Sequence, residues 1–372
     1  MKYNKLFLLV TTTIFTACNL TKMEKKNNAT AFYIGTQTMS KKGKVSEGIY
    51  QSFIDDTGKL SKVKLVAKAK NPSYLTKTMD NKYLISRSDG GKIGLISYKI
   101  NKDTLIQIST SETGQAPCFV SSQNNFVLNA NYRDGTVNLH TIDETGTLSN
   151  LLATQKHHFT TIPVHPRQSK PHAHSSYFEP NSNNVISIDL GANKIIFSTL
   201  DTLQNTLELN KFNEIEMPKN SGPRLLTFHP KLPIFYVVNE LNATVSVIEK
   251  NILNNSYSIK ETLPTLPKDY HQNNSAAHIE ISKDGQFLYM SNRGHDSIVV
   301  FKVSQTGSLN FVERISVHGK HPRNFSLTKD NTYMIVANRD TDNLCSFKRN
   351  SKTGKLTFVD EVKAPKATCI LF

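Results

Sequence analysis

A short strand-like segment that opens with proline or another small residue recurs seven times along this chain. The copies open at Pro72-Ser73, Pro117-Cys118, Pro171-His172, Pro223-Arg224, Ala277-His278, Pro322-Arg323 and Pro365-Lys366. The first and last openings are 293 residues apart, which gives about 49 residues per repeat. This period is typical of the blades of a propeller and not of helical solenoids. The repeat therefore constrains the fold more than any single local feature does.

Each repeat contains three further segments that have the character of β-strands. The second segment is apolar, as in Phe32-Tyr33-Ile34 and Phe287-Leu288-Tyr289, and a third such as Ser297–Phe301 follows it. A Thr-Gly-x-Leu turn precedes the fourth segment at Thr57–Leu60, Thr145–Leu148, Thr306–Leu309 and Thr353–Leu356. Glycine supplies the positive φ of a hairpin there. β-Branched and aromatic residues fill these segments without a helical period, which predicts four antiparallel strands per blade.

The two ends of the repeat region are incomplete in a complementary way. Residues 31–69 contain three strands but no opening strand, whereas the last residues, from Pro365 to Phe372, contain one strand with nothing after it. Pairing them would close the ring and remove its exposed edges. We therefore predict an all-β, seven-bladed propeller over residues 31–372, closed by the C-terminal strand. An open β-solenoid is the alternative, and it would need no such exchange.

The N-terminus carries the features of an export signal. Lys2 and Lys5 precede an apolar run that ends in Phe15-Thr16-Ala17-Cys18, which resembles the lipid-attachment sequence of bacterial lipoproteins. Residues 1–17 are predicted to be removed, Cys18 to carry the lipid, and residues 18–30 to form a polar tether. An uncleaved helical anchor is disfavoured because the apolar run is too short. We expect a monomer, exported and attached through its lipid to the bacterial cell envelope, on the periplasmic or outer-membrane face.

Composition excludes several other classes of protein. A chain of 372 residues with 38% hydrophobic and 20% charged residues folds into a globular structure, and no apolar stretch of 18 residues is present to span a bilayer. The net charge of +15 favours anionic partners. Dispersed lysines and the lack of an aromatic-basic motif argue against nucleic acid. Cys118, Cys345 and Cys369 have no C-x-x-C spacing, so we predict neither a zinc site nor a disulfide framework, and no cofactor.

In a propeller, the opening strand of each blade lies at the central channel. It begins on the face of the ring at which the second strand finishes, and we call the opening of the channel on this face the mouth. The residues that follow the seven small or proline residues are Ser73, Cys118, His172, Arg224, His278, Arg323 and Lys366. The second strands bring Tyr132, Arg133, Asp189, Asn239, Glu240, Asn292, Arg293, Asn338 and Arg339 to the same place. Cations in shared register would repel one another in an empty site, so the pattern predicts an anionic ligand.

Histidines stand out near the third repeat. His172 and His174 form an H-x-H pair, which on a strand would place both rings on one face. Chelation of a metal is one reading, but no matching carboxylate or cysteine is evident, and we favour one ring for proton transfer and one for orientation or packing. His157, His158 and His165 lie in a long insertion, 155–170, which we expect to arch over the mouth, and we favour a solvated loop over a functional role for these three rings.

Taken together, these motifs resemble those of the seven-bladed propeller lactonase family, which includes bacterial 6-phosphogluconolactonases and is related to carboxy-muconate lactonizing enzymes. The matching motifs are Pro171-His172-Ala173-His174, Asp189-Leu190-Gly191, Gly222-Pro223-Arg224, Phe228-His229-Pro230, Asn239-Glu240, Ser291–Ser297, His321-Pro322-Arg323 and Val336-Ala337-Asn338. The resemblance implies that His172, Glu240, Arg224 and Arg293 are the functional residues. We add His174, His278, Arg323, Asn239 and Asn292 as candidates for binding the substrate.

The resemblance implies hydrolysis of a sugar-acid lactone, and we expect the reaction to need no metal. His172 or Glu240 would be the general base, and Arg224 and Arg293 would hold the anionic group and stabilise the oxyanion. Leu225 and Phe119 stand where the family often has histidine, which bears on substrate specificity. A phosphorylated sugar lactone is a cytosolic metabolite, so an exported enzyme would act on another sugar-acid lactone. A lactonizing isomerase and a non-enzymatic propeller that binds a ligand or glycan are the alternatives.

Overall fold

The computed structural model describes residues 29–40, 43–159 and 165–372. The predicted signal sequence, Cys18 and most of the predicted tether lie outside the described residues and stay predictions. Within the described ranges, no helix is long and apolar enough to cross a membrane.

The described residues form thirty strands and one short 3-10 helix, Pro166–Gln168. In chain order the strands are β1 (Thr30–Thr36), β2 (Met39–Ser40), β3 (Gly43–Lys44), β4 (Gly48–Ile54), β5 (Lys64–Lys68), β6 (Leu75–Lys77), β7 (Tyr83–Gly90), β8 (Ile93–Asn101), β9 (Thr104–Glu112), β10 (Pro117–Gln123), β11 (Phe126–Asn131), β12 (Thr136–Thr141), β13 (Ala153–Lys156), β14 (Ala173–Phe178), β15 (Asn184–Asp189), β16 (Lys194–Asp201), β17 (Thr206–Glu216), β18 (Pro223–Phe228), β19 (Ile234–Asn239), β20 (Thr244–Asn251), β21 (Ser256–Pro264), β22 (Ser275–Ile281), β23 (Phe287–Arg293), β24 (Ser297–Val303), β25 (Leu309–Ser316), β26 (Pro322–Leu327), β27 (Tyr333–Asn338), β28 (Asn343–Arg349), β29 (Leu356–Lys363) and β30 (Ala367–Leu371).

Seven four-stranded antiparallel sheets form the blades of a propeller, as predicted. Blades 1 to 6 contain β6–β9, β10–β13, β14–β17, β18–β21, β22–β25 and β26–β29. Blade 7 has the strand order β30-β1-β4-β5, and β30 pairs antiparallel with β1. The C-terminal strand is thus the innermost strand of the N-terminal blade. This pairing confirms the predicted closure and rules out the open solenoid.

The inner strands of consecutive blades contact one another all the way round the ring, and β30 contacts both β26 and β6. Clusters of buried apolar side chains lie between neighbouring blades. One cluster joins blades 6 and 7 through Ile335 and Phe32, and another joins blades 7 and 1 through Ile49 and Leu84. The apolar second and third strands are therefore buried on both faces, which explains their lack of strict alternation.

The four Thr-Gly-x-Leu turns connect the third and fourth strands, as predicted, and each also contacts the preceding blade. Gly354 has φ +73°, and a Cβ atom at this position would lie 2.2 Å from Phe287. Its carbonyl oxygen accepts a hydrogen bond from the Tyr289 hydroxyl at 2.9 Å. Glycine is required here by both the backbone angle and the close approach of the preceding blade.

Aromatic side chains in or beside the inner strands of neighbouring blades pack against one another. Phe119 lies between Tyr74 and Tyr177, with ring centroids 4.5 and 4.7 Å away, and Tyr177 contacts Phe228. Glu280 of β22 lies on the inner strand of blade 5, and its two carboxylate oxygens accept the Leu327 N–H at 3.2 and 3.3 Å. Within the described residues this carboxylate has no ion pair. Burial raises the pKa of Glu280 to about 8.

This raised pKa predicts how stability depends on pH. Folded Glu280 keeps its proton between pH 4.5 and about 8 while the unfolded chain loses it, so stability falls as the pH rises through this window. Glu280→Gln removes the titration, and we expect the variant to melt about 5 °C above the wild type at pH 9 but close to it at pH 4.5. Differential scanning calorimetry at both pH values measures the effect, with exposed Glu144→Gln as the control. The same difference in melting temperature between variant and wild type at both pH values would contradict the raised pKa of Glu280.

Candidate active site

A one-residue irregularity recurs where the inner strands begin. In blade 4, Pro223 pairs with Asn239 and Leu225 with Val238, so Arg224 between them is left unpaired. The equivalent unpaired residues are Cys118, His174, the pair Ala277-His278, Arg323 and Thr368. β-Bulges of this kind redirect side chains and are common beside active sites. Here the repeated bulge leaves one residue outside the strand pairing in five blades and two in blade 5, and Arg224, His174 and Arg323 among them lie in the mouth.

In two blades, the residue that the bulge leaves unpaired differs from the one predicted from the sequence. In blade 3 the strand begins at Ala173, so the equivalent residue is His174, and His172 lies in the segment before the strand. In blade 7 the equivalent residue is Thr368, whereas Lys366 lies before β30 and its Nζ is 3.2 Å from Asp342. The prediction failed at these two sites because proline marks the approach to the strand and not its first residue.

Glu240 is the centre of the mouth. It follows the end of β19, its side chain is 4% exposed, and three arginines from different elements surround its carboxylate. Arg293 Nη2 lies 3.0 Å and Arg167 Nη1 2.5 Å from Oε1, and Arg224 Nε lies 2.7 Å from Oε2. His174 Nε2 is more distant, at 4.0 Å from Oε2. Of the predicted residues, Glu240, Arg224, Arg293 and His174 are therefore brought together.

The arginines are also fixed from the other side. Arg293 donates to the carbonyl oxygens of Ser275 at 3.1 Å and Ala276 at 2.9 Å, and Arg224 donates to that of Ala277. These three carbonyls belong to the bulged segment of β22. The carbonyl oxygens of the bulged segment therefore accept hydrogen bonds from the guanidinium groups, and the same segment directs side chains into the mouth.

Charge and burial together set the protonation states in this cluster. Burial alone would raise the pKa of Glu240, but Arg293, Arg224 and Arg167 hold it well below its ordinary value. Burial, reinforced by Arg224, lowers the pKa of His174 well below its ordinary range. Glu240 is therefore an anion and His174 a neutral ring at neutral pH.

Arg323 differs from the other arginines of the mouth. Within the described residues it makes no hydrogen bond and no ion pair. Burial and the positive charges of Arg224 and Arg293 lower its pKa to about 9. His278 also lies in the mouth, where its Nδ1 is 3.0 Å from Asn324 Nδ2, and burial together with Arg224 lowers its pKa to about 3. Arg323 is thus a cation that forms no ion pair within the described residues, in a site with a cationic excess. Arg167, Arg224, Glu240, Arg293 and Arg323 are called the mouth cluster below.

His172 lies beside this cluster, on the ring of Tyr132. The two rings stack at 4.3 Å with an angle of 9° between their planes. His172 Nδ1 is 2.7 Å from the Tyr132 carbonyl oxygen, which can only accept, so Nδ1 carries the hydrogen. In the neutral ring Nε2 is then the unprotonated nitrogen. The Tyr132 hydroxyl in turn accepts hydrogen bonds from Arg167 Nε and Nη2 at 3.0 and 2.9 Å.

Asn239 and Asn292, which were predicted to bind the substrate, make hydrogen bonds to other residues of the protein. Both are fully buried. Asn239 donates to Thr244 and Ser246 of its own blade, and Asn292 accepts from Thr265. These bonds lie within blade 4 for Asn239 and join Asn292 to the segment that leads into blade 5, and neither amide hydrogen-bonds to the mouth cluster within the described residues. Asp189, which was also expected at the mouth, is fully buried and accepts the backbone N–H groups of His172 and Ala192.

Within the described residues, no group of three or more histidine, cysteine, aspartate or glutamate side chains is arranged to hold a metal ion. The chemistry of the mouth agrees with this finding, since its one carboxylate is already surrounded by arginines. Such a site favours anions.

Residues 31–372 match the family described as Lactonase, 7-bladed beta-propeller. The chain belongs to this family. It is 36% identical to a 6-phosphogluconolactonase of Bacillus subtilis (strain 168) over 352 residues, which cover 91% of this chain and 97% of that protein. The family resemblance seen in the sequence motifs is confirmed.

Solved structures of other lactonase-like propellers are also similar to this chain. The periplasmic gluconolactonase of Pseudomonas aeruginosa has a TM-score of 0.84 and 28% identity, covering 92% of this chain and 98% of its own. A putative 6-phosphogluconolactonase of Bacteroides fragilis NCTC 9343 has a TM-score of 0.83 and 27% identity, covering 92% and 97%. This lactonase-family chain thus shares its whole propeller with them.

Sequence reasoning missed Arg167, which completes the ring of arginines around Glu240. Arg167 belongs to the 3-10 helix in the insertion, and Gln168 anchors that helix through hydrogen bonds to the Leu190 carbonyl at 3.2 Å and to Asn193 at 3.1 Å. The helix lies over the mouth, where the insertion was expected to arch. No repeat relates Arg167 to other blades, so no pattern could have singled it out.

Proposed function

We propose that this chain hydrolyses a sugar-acid lactone of the 6-phosphogluconolactone type, by attack of water on the ring ester at the mouth. Family membership supports the reaction class. The observation that carries the proposal is the mouth cluster, in which one carboxylate fixes three arginines while Arg323 makes no ion pair with any described residue. Such a site is organised before the substrate arrives, which is what stabilising a developing oxyanion requires.

His172 is proposed as the general base. Its Nε2 is the unprotonated nitrogen of a ring held by Tyr132, and the side chain is half-buried rather than sealed from the mouth. Glu240 is the weaker candidate because three arginines lower its pKa and surround both of its oxygens. We therefore assign Glu240 the role of a positioning residue that orients the arginines.

The proposed reaction needs three events at the ester. A water molecule gives a proton to His172 Nε2 while its oxygen attacks the carbonyl carbon. Arg323, helped by the free N–H groups of Arg224 and Arg293, stabilises the oxyanion. The ring C–O bond then breaks, and the imidazolium returns the proton to the leaving alkoxide. The product is an open-chain acid, whose carboxylate would be held by the same arginines until release.

Arg323→Gln tests the proposal. Loss of one oxyanion donor is expected to lower kcat for gluconolactone opening by about a hundredfold, with a smaller change in KM. Acid release followed in a pH-stat, corrected for spontaneous opening, measures the rate. The control is Lys62→Gln, an exposed lysine beside the outer strand of blade 7, which should retain full activity.

Three further outcomes separate the proposed function from its rivals. A wild-type rate in Arg323→Gln would contradict the role of Arg323. Ring closure of an unsaturated diacid, detected by NMR, with no lactone opening would favour a lactonizing isomerase. Binding of a ligand without turnover of any lactone would favour a non-enzymatic propeller.

A further inference from the structure

We propose that Gln168 and Asn193 are positioning residues that hold Arg167 against Glu240 and so complete the ring of arginines at the mouth. This role rests on the proposed lactonase function and deepens it, because it names residues that act on the reaction through Arg167. Both side chains are amides, and they are 3% and 6% exposed. Within the described residues, neither side chain bonds to Glu240 or to an arginine, so their effect on the mouth is indirect.

Asn193 ends the turn between β15 and β16, and its amide uses all of its hydrogen-bonding capacity. Its Oδ1 accepts from Gln168 Nε2 at 3.1 Å and from the Gly222 N–H at 2.9 Å. Its Nδ2 donates to the carbonyl oxygens of Met217 at 2.8 Å and Pro218 at 3.1 Å. A backbone N–H can only donate and a carbonyl can only accept, so this network admits one orientation of the amide. The Oδ1 atom is therefore a fixed point between two segments of the chain.

The two bonds to Oδ1 join both sides of one contact in the mouth. On one side, Gln168 immediately follows Arg167. On the other side, the carbonyl oxygen of Gly222 accepts the backbone N–H of Glu240 at 2.7 Å. The path from Gln168 through Asn193 and Gly222 to Glu240 then closes on itself, because Arg167 Nη1 lies 2.5 Å from Glu240 Oε1. Asn193 thus sets the arginine and the carboxylate relative to each other.

Another blade shows which part of this network belongs to the fold alone. Asp296 ends the equivalent turn of blade 5, and its Oδ1 accepts the His321 N–H, just before the inner strand of blade 6, at 2.8 Å. Asn193 makes the same link between blades through Gly222, just before β18. The bond from Gln168 is an addition to this link. The bond to Gly222 therefore serves the ring of blades, whereas the bond to Gln168 serves the mouth.

Gln168 is held for the two bonds that it donates. Besides Asn193, its Nε2 donates to the Leu190 carbonyl oxygen at 3.2 Å. Its Oε1 is buried and has no hydrogen-bond partner within the described residues. A buried acceptor without a partner costs stability, which an apolar side chain of the same size would avoid. The chain keeps a glutamine at a position where packing alone does not require one.

The turn 189–193 also holds the other end of the insertion and the proposed base. His157, which was expected in a solvated loop, is buried, and its Nδ1 lies 2.7 Å from Asp189 Oδ2. The other oxygen of Asp189 accepts the backbone N–H of His172 at 2.7 Å, and the Leu190 N–H donates to the His172 carbonyl oxygen at 3.0 Å. Arg167 and the proposed base are therefore both fixed to this one turn.

A double-mutant cycle between Gln168→Met and Arg167→Gln tests the positioning role. Methionine has the length of glutamine but donates no hydrogen bond. We expect Gln168→Met to lower kcat for lactone opening about tenfold with KM within twofold, because Glu240 then orients the remaining arginines less precisely. In the Arg167→Gln background the same substitution should lower kcat less than twofold. The control Gln204→Met, at an exposed turn, should leave kcat unchanged in both backgrounds. Equal losses from Gln168→Met in both backgrounds would contradict the role, since a purely structural effect does not depend on Arg167.

Limited proteolysis tests the anchoring of Arg167 without any lactone. Trypsin cleaves after arginine where the chain opens locally. Cleavage after Arg167, followed by mass spectrometry and divided by the rate in the unfolded chain, should be at least tenfold faster in Gln168→Met than in the wild type. Asn193→Gly, which keeps the positive φ of this position, should show the same increase, and Gln204→Met should not.

The wild-type rate of cleavage in either Gln168→Met or Asn193→Gly would overturn the inference. This readout does not depend on turnover. If the wild-type protein opened no lactone, the proposed function would fail, and the proteolysis would still decide whether Gln168 and Asn193 hold Arg167 in place.

Discussion

Replacing Glu240 with glutamine is expected to lower kcat/KM for lactone opening by at least a hundredfold. The carboxylate neutralises part of the charge of Arg167, Arg224 and Arg293, which lie within 3.0 Å of it. A neutral amide of the same size leaves these cations to repel one another, so they move out of the arrangement that stabilises the oxyanion. Breaking a buried ion pair from one side also destabilises the fold by about 3 kcal/mol.

Kinetics and denaturant unfolding of the same Glu240→Gln preparation separate the two effects. We expect activity to fall far more than the fraction of folded protein, because the seven-bladed ring does not depend on this residue. Glu144→Gln, at an exposed turn, serves as the control for loss of one carboxylate. An active Glu240→Gln enzyme with the wild-type KM would contradict the positioning role, whatever its stability.

Replacing His172 with glutamine is expected to lower kcat by about a hundredfold to ten-thousandfold, with KM little changed. The variant keeps a side chain that can hydrogen-bond but removes the nitrogen that takes the proton from water. Initial rates over a range of lactone concentrations, corrected for spontaneous opening, give the two constants. His271→Gln is the matched control, since His271 is exposed.

His174→Gln distinguishes the two histidines of the H-x-H pair. His174 Nδ1 is buried without a hydrogen-bond partner in the described part of the chain, and its Nε2 faces Glu240. We expect a loss smaller than that of His172→Gln. If His174→Gln lost all activity while His172→Gln kept it, the assignment of the base would be reversed.

The architecture could be predicted from sequence because it is encoded seven times. Each blade repeats the same order of a small residue and apolar strands, and four of the seven add a glycine turn, so errors in one copy are corrected by the others. Closure was also predictable, since the strand Ala367–Leu371 had no partner of its own and residues 31–69 lacked an inner strand. These are properties of chain order, and they do not depend on side-chain geometry.

The site was harder to predict from the sequence because it depends on single residues. The bulge moves the mouth position from His172 to His174 in blade 3, although the spacing of prolines is regular. Arg167 comes from an insertion without a counterpart in other blades. Asp189 was expected to face the mouth, but it is buried and binds backbone N–H groups and His157. Repeats identify where side chains converge, whereas burial and hydrogen bonds decide what each of them does.

Turnover by the wild-type protein tests the central claim most directly. The measurement is acid release from gluconolactone and 6-phosphogluconolactone at several enzyme concentrations, with the uncatalysed rate subtracted. The proposed lactonase predicts a saturable rate, proportional to enzyme, for at least one of the two. A correctly folded protein that opens neither lactone faster than water alone would contradict it.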